Sequence, residues 1–112
     1  VFATGHLSIP EIAEYAERVL ADPEVEDGFV EVLDFSKVDD LEFSYAGIKV
    51  VRSIFERFKV EKGYRGSVIV APNDLQYGIA RMVMSVFKNF APIYPVRTPQ
   101  DAQVALEKLL VQ

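Results

Sequence analysis

The 112-residue chain contains no cysteine. That absence removes disulfides, thiolate metal ligands and cysteine nucleophiles together, and it agrees with a reducing compartment, the cytoplasm. Histidine is almost absent as well, with His6 the sole example. Zinc sites draw on several His or Cys ligands, so no metal centre of that kind is expected. A Ser–His–acid triad would have to be built on His6, which stands in a turn before the first helix and reads as a surface or turn-packing residue. No apolar run approaches the roughly 20 residues that span a bilayer. The opening "VFATGHLS" has neither the basic head nor the long apolar stretch of a signal peptide. The chain opens on Val1 rather than Met, so it reads as a trimmed chain or as one domain of a longer one. Cations are scattered and the net charge is −5. A duplex-binding protein needs cations ranked along phosphates, so nucleic acid is not an expected partner. The glycine pair in "GYRG" follows a helix and precedes a strand, the wrong order for a phosphate loop or a dinucleotide fingerprint.

What remains is an ordinary globular composition, half hydrophobic and 26% charged. Residues 1–112 read as a single domain. "VFAT" is the end of a first strand, and "SIPE" opens a helix with Ser8 and Glu11 as a capping box and Leu7 and Ile12 as a hydrophobic staple. Ile12, Ala16, Val19 and Leu20 recur at helical spacing. After Gly28 the nearly continuous apolar run of "FVEVLDF" predicts a strand covered on both faces. A helix beginning near Ser44 or Tyr45 buries Val51, Ile54, Phe55 and Phe58, and Gly63 closes it with a left-handed cap. "SVIVAP" is a core strand. Asn73 and Gln76 cap a third helix with Leu75, Ile79, Met82, Val83, Val86 and Phe90 on its stripe. "IYPVR" is an edge strand, because Pro95 cannot donate a ladder hydrogen bond. Thr98 and Pro99 start a last helix that buries Ala102, Ala105, Leu106, Leu109 and Leu110. Alternating strands and helices with short connections predict an α/β layer: four helices on a mixed, mainly parallel sheet of four to five strands.

The segment that invites a functional reading is "VLDFSKVDDLEFSYAG", residues 32–47. It sets Asp34, Asp39, Asp40 and Glu42 between a buried strand and a buried helix. A magnesium and phosphoryl-acceptor site would want acids converging from several strand ends. "SVIVAP" and "IYPVR" end without acids and no lysine closes the last strand, so no metal is expected. Carboxylates near a helix start also interact favourably with its dipole. That accounts for the charge, and it leaves Ser44 standing where the helix begins.

The pattern strand, "D-apolar-S-x-V", short turn, "S-x-x-G" opening a helix is similar to that of the STAS domains of SpoIIAA-like anti-sigma-factor antagonists. Leu33, Asp34, Phe35, Ser36 and Val38 match the strand part. Glu42 falls on the family's acid and Ser44 on its second serine, while Phe43 and Tyr45 replace smaller residues. "SVIVAPNDLQYGIAR" also resembles an uncharacterised bacterial SpoIIAA-like group, and the likeness runs over essentially the whole chain. The resemblance implies a SpoIIAA-like fold and a non-enzymatic interaction or regulatory module without a cofactor. Ser44 would be the phosphoacceptor of a partner serine kinase. The partner-binding surface would comprise Asp39, Asp40, Glu42, Phe43, Tyr45 and Gly47. The group also resembles the CRAL-TRIO lipid-transfer fold. That implies an alternative, a carrier of a small apolar, lipid-like ligand, with Phe43, Tyr45, Tyr77 and Tyr94 at the mouth of its pocket. A homodimer through the edge strand or the apolar loop is compatible with either reading.

Overall fold

The computed structural model describes residues 2–3, 9–25, 27–36 and 45–111, with the strand at 2–3, the first turn of the first helix and Tyr45 described as backbone. The elements run β1 (Phe2–Ala3), α1 (Ile9–Ala21), β2 (Val30–Asp34), α2 (Tyr45–Lys62), β3 (Gly66–Val70), α3 (Asp74–Val86), β4 (Ile93–Val96) and α4 (Pro99–Leu110). The strands lie side by side in chain order, β1-β2-β3-β4. All three pairings are parallel, with Val32 opposite Val68 and Ile69 opposite Pro95. The expected mixed sheet is therefore corrected to a parallel one among the described residues. The reason is connectivity: each strand is followed by a helix that returns the chain to the starting edge, and such a crossover leaves the next strand parallel to the last. Pro95 sits on edge strand β4, as its missing N–H requires.

Side chains alternate across the sheet and divide the core in two. Phe29, Leu33, Phe35, Ile69, Ala71 and Ile93 join α1, α2 and α3 in the larger core. Val30 and Val68 point the other way and meet Ala105 and Leu109 of α4. In the larger core Phe58 is fully buried, 5.5 Å from the Phe29 ring and 4.8 Å from Phe55. Edge-to-face contacts continue from Phe55 to Tyr64 and Phe87. Such pairs add about 0.5–1.5 kcal/mol each beyond the area they bury.

The punctuation follows the residues. Gly63 stands at φ 64° after α2, with its N–H on the Lys59 carbonyl, a conformation that costs other residues a steric penalty. Asn73 and Gln76 form the reciprocal capping box of α3, and the Thr98 side chain accepts from Asp101 N with Pro99 next to it. Two stripe residues turn out otherwise. Leu75 is half exposed, because Gln76 takes the inward position in the first turn of α3. Leu110 is exposed as well, because Leu109 fills the inward place at the end of α4. The Ser8–Glu11 capping box, the Leu7–Ile12 staple and His6 lie outside the described residues or side chains.

Candidate functional site

Open parallel sheets bind ligands outside the carboxyl ends of the strands, where the strand order reverses. The order β1-β2-β3-β4 has no such reversal, and the carboxyl edge is of interest here because the segment after β2 leaves from it. At that edge the described residues form a connected polar set. Asp34 ends β2, and its Oδ1 accepts from Ser36 N at 2.8 Å. The Ser36 carbonyl accepts in turn from Nε2 of Gln76 at 2.9 Å. Gln76 N donates to Asn73 Oδ1 at 2.8 Å, and Gln76 Oε1 accepts from Asn73 N at 3.3 Å. A buried side-chain amide is costly unless its donors and acceptor are matched. Here one amide closes the cap of α3 and also holds the chain as it leaves β2. Beyond it, the Arg97 guanidinium lies 4.3 Å from the centre of the Tyr77 ring and donates to Asp74 Oδ1 at 2.9 Å. The ends of β2 and β4 and the start of α3 thus share one edge.

The residues singled out in sequence sort as follows. Asp39, Asp40, Glu42, Phe43 and Ser44 lie outside the described residues. Tyr45 opens α2, with its side chain undescribed, and Gly47 is half-buried in the first turn. Tyr77 packs against the larger core, whereas Tyr94 packs against the smaller core under α4. These two tyrosines occupy opposite faces of the sheet and do not line one pocket mouth. Among the described residues no group of three or more His, Cys, Asp or Glu side chains converges as a metal site would require. No helix among them is long and apolar enough to cross a membrane.

A cleft opens where the first two turns of α4 rise off the sheet. Val32, Asp34 and Val70 form its floor side, and Pro99, Ala102 and Leu106 its helix side, around about 200 Å³. The walls are mainly aliphatic, with the Asp34 carboxylate the ionisable group among them. Its volume is below the roughly 300–1,000 Å³ of drug-sized sites, so it suits a short apolar group rather than a long chain. Periodicity places Ala102 and Leu106 on the inward face of α4, but the gap beside them depends on the angle at which α4 meets the sheet.

A second polar constellation lies inside the larger core. Glu31, in the middle of β2, has no solvent exposure. Tyr15 of α1 donates to Glu31 Oε2 at 2.6 Å, and Ser67 of β3 donates to Oε1 at 3.0 Å. Tyr64 and Ser67 share a further short hydrogen bond between their hydroxyls. Burial pushes the Glu31 carboxyl up to about 7, although the bonds from Tyr15 and Ser67 favour the ionised form. Burial, reinforced by the Glu31 charge, raises the Tyr15 and Tyr64 phenols, so both stay protonated donors. In the sequence Glu31 sits inside what reads as a nearly continuous apolar run. The available signal was the run itself: a carboxyl in a strand covered on both faces has to be buried and must find partners.

Comparison of the chain with protein-family models, with curated proteins and with solved structures gave no match.

Proposed function

We propose that this domain is a non-enzymatic interaction or regulatory module of the cytoplasm, similar to the SpoIIAA-like STAS antagonists. Its contact segment would run from Asp39 to Gly47, with Ser44 as phosphoacceptor for a partner serine kinase. The observation that carries this reading is the bond from buried Gln76 to the Ser36 carbonyl. It pins the chain at the carboxyl edge of the sheet just before the segment, and α2 begins at Tyr45, within its last three residues. Ser44 directly precedes the first helical residue, and the first turn of α2 contains no acid. A phosphate there would add nearly two negative charges beside the positive end of a helix dipole. The sequence neighbours Asp39, Asp40 and Glu42 would oppose it, so phosphorylation would rearrange the charges that a partner meets. The test is incubation with serine kinases followed by mass spectrometry of the tryptic peptides, with Ser44→Ala as control. Phosphate on Ser44 supports the switch. Its absence under conditions that phosphorylate a STAS antagonist removes the switch and leaves the docking surface.

A second reading, carriage of a small apolar ligand, is favoured by the aliphatic cleft under α4. Native mass spectrometry should then show a bound mass that Ala102→Trp, which fills the cleft, displaces. Retention of that mass by the variant would place the ligand elsewhere.

A further inference from the structure

A different recess lies between α2 and the chain that leaves α3. Lys49, Arg52, Ser85, Val86, Lys88 and Asn89 line it, around about 410 Å³. Three of the six are cations and none is an acid, in a chain whose net charge is −5. Arg52 is held in place from two sides. Its Nη1 donates to the Val86 carbonyl at 2.9 Å, at the C-terminal end of α3, and its guanidinium carbon lies 5.4 Å from the centre of the Phe90 ring. A cation at a helix C-terminus is an ordinary structural arrangement, and it uses one edge of the guanidinium. Nε, on the other edge, faces the Glu56 carboxylate one turn further along α2. Arg52 Nε is cut off from solvent and makes no hydrogen bond. Glu56 Oε1 stands at 3.6 Å, an i, i+4 ion pair too long for a hydrogen bond, and Glu56 is not among the six lining residues. Ser85 and Asn89 add neutral hydrogen-bonding side chains to the same walls.

We propose that this recess binds a phosphate group, with Arg52 and Lys88 supplying the charge and Ser85 and Asn89 supplying neutral donors. A guanidinium already fixed by one bond loses little freedom on receiving an oxyanion. Gathering positive side chains round one recess costs Coulomb energy that an incoming dianion reverses. The proposal does not rest on the reading of Ser44, and its success or failure leaves that reading untouched.

The experiment is a titration of isotope-labelled protein with inorganic phosphate at constant ionic strength, followed by amide NMR. Saturable shifts confined to residues 49–52 and 85–89 are expected. Lys88→Glu, a change at an exposed side chain, should weaken binding by about tenfold or more. Lys108→Glu on α4, the same change of charge away from the recess, should leave it unaltered. Shifts that never saturate, or equal weakening by both variants, would overturn the proposal. A parallel sedimentation assay with phosphatidic acid and phosphatidylcholine vesicles identifies the source. Co-sedimentation with the former alone, lost in Lys88→Glu, assigns a lipid headgroup. Phosphate binding without co-sedimentation assigns a soluble phosphate compound.

Discussion

The Tyr15 hydroxyl reaches Glu31 Oε2 across 2.6 Å, and this one bond joins α1 to the middle of β2 inside the core. It places a titratable carboxyl where water does not reach, and the carboxyl carries a pH dependence with a definite sign. Glu31 ionises near 4.5 in the open chain and at about 7 in the fold, chiefly because burial penalises the charge. Between those values the folded state keeps a proton that the unfolded chain has released. Stability therefore falls as pH rises through this window and levels off above it. The interval corresponds to about 3 kcal/mol. Urea unfolding at about pH 5 and about pH 8 measures it, and Glu31→Gln should remove most of the difference between the two. An equal difference in the variant and the parent chain would assign the dependence to other groups.

Gly66 and Gly78 predict opposite outcomes for the same substitution. Gly66 opens β3 at φ 143°, and a Cβ there would stand 2.5 Å from the Pro92 carbonyl oxygen. Gly66→Ala meets both backbone strain and a backbone clash, and should cost about 2 kcal/mol or more. Gly78 lies within α3 with open space around it. Gly78→Ala should stabilise by about 0.5–1 kcal/mol. Thermal denaturation of the two variants beside the parent chain decides both.

Phe58→Ala should be among the most damaging single changes. The ring is fully buried and touches Tyr15, Phe29, Phe55 and Tyr64, rings contributed by two helices, the entry to β2 and the entry to β3. Removing it deletes buried area and leaves a cavity those rings cannot close together, a loss of about 3–5 kcal/mol. Equilibrium unfolding in guanidinium checks the figure.

Gln76→Ala and Arg97→Ala separate the buried tie from the exposed one at the carboxyl edge. Gln76→Ala removes half of the capping box and the donor to Ser36, and should cost about 1–2 kcal/mol. Arg97→Ala breaks a pair whose Asp74 side chain is almost wholly exposed. Its effect on stability should stay within about 1 kcal/mol. Comparable losses from the two would mean that the edge is held by the ion pair.

The order of elements is legible in the residues, because local rules decide it. Asn73 with Gln76, Thr98 with Pro99, and Gly63 mark helix ends by chemistry that acts over three or four positions. Pro95 likewise announces an edge strand. What depends on distant segments meeting is less legible. The second partner of Gln76, the Ser36 carbonyl, lies 40 positions away, and no local spacing reveals it. Leu75 and Leu110 fit a helical stripe but lie at helix ends, where neighbouring Gln76 and Leu109 take the inward place. Tyr77 and Tyr94 carry the same ring, and only the face of the sheet each one meets separates them.

Strands laid down in chain order allow the domain to assemble in the direction of its synthesis. Each new strand pairs with the one made just before it, and α1, α2 and α3 can pack on their shared face as they emerge. The second face follows a different schedule. Val30 and Val68 find their cover in α4, at residues 99–110. A nascent or truncated chain ending before Thr98 would therefore display a bare aliphatic sheet surface, the kind of surface that molecular chaperones capture and that incomplete domains use to aggregate.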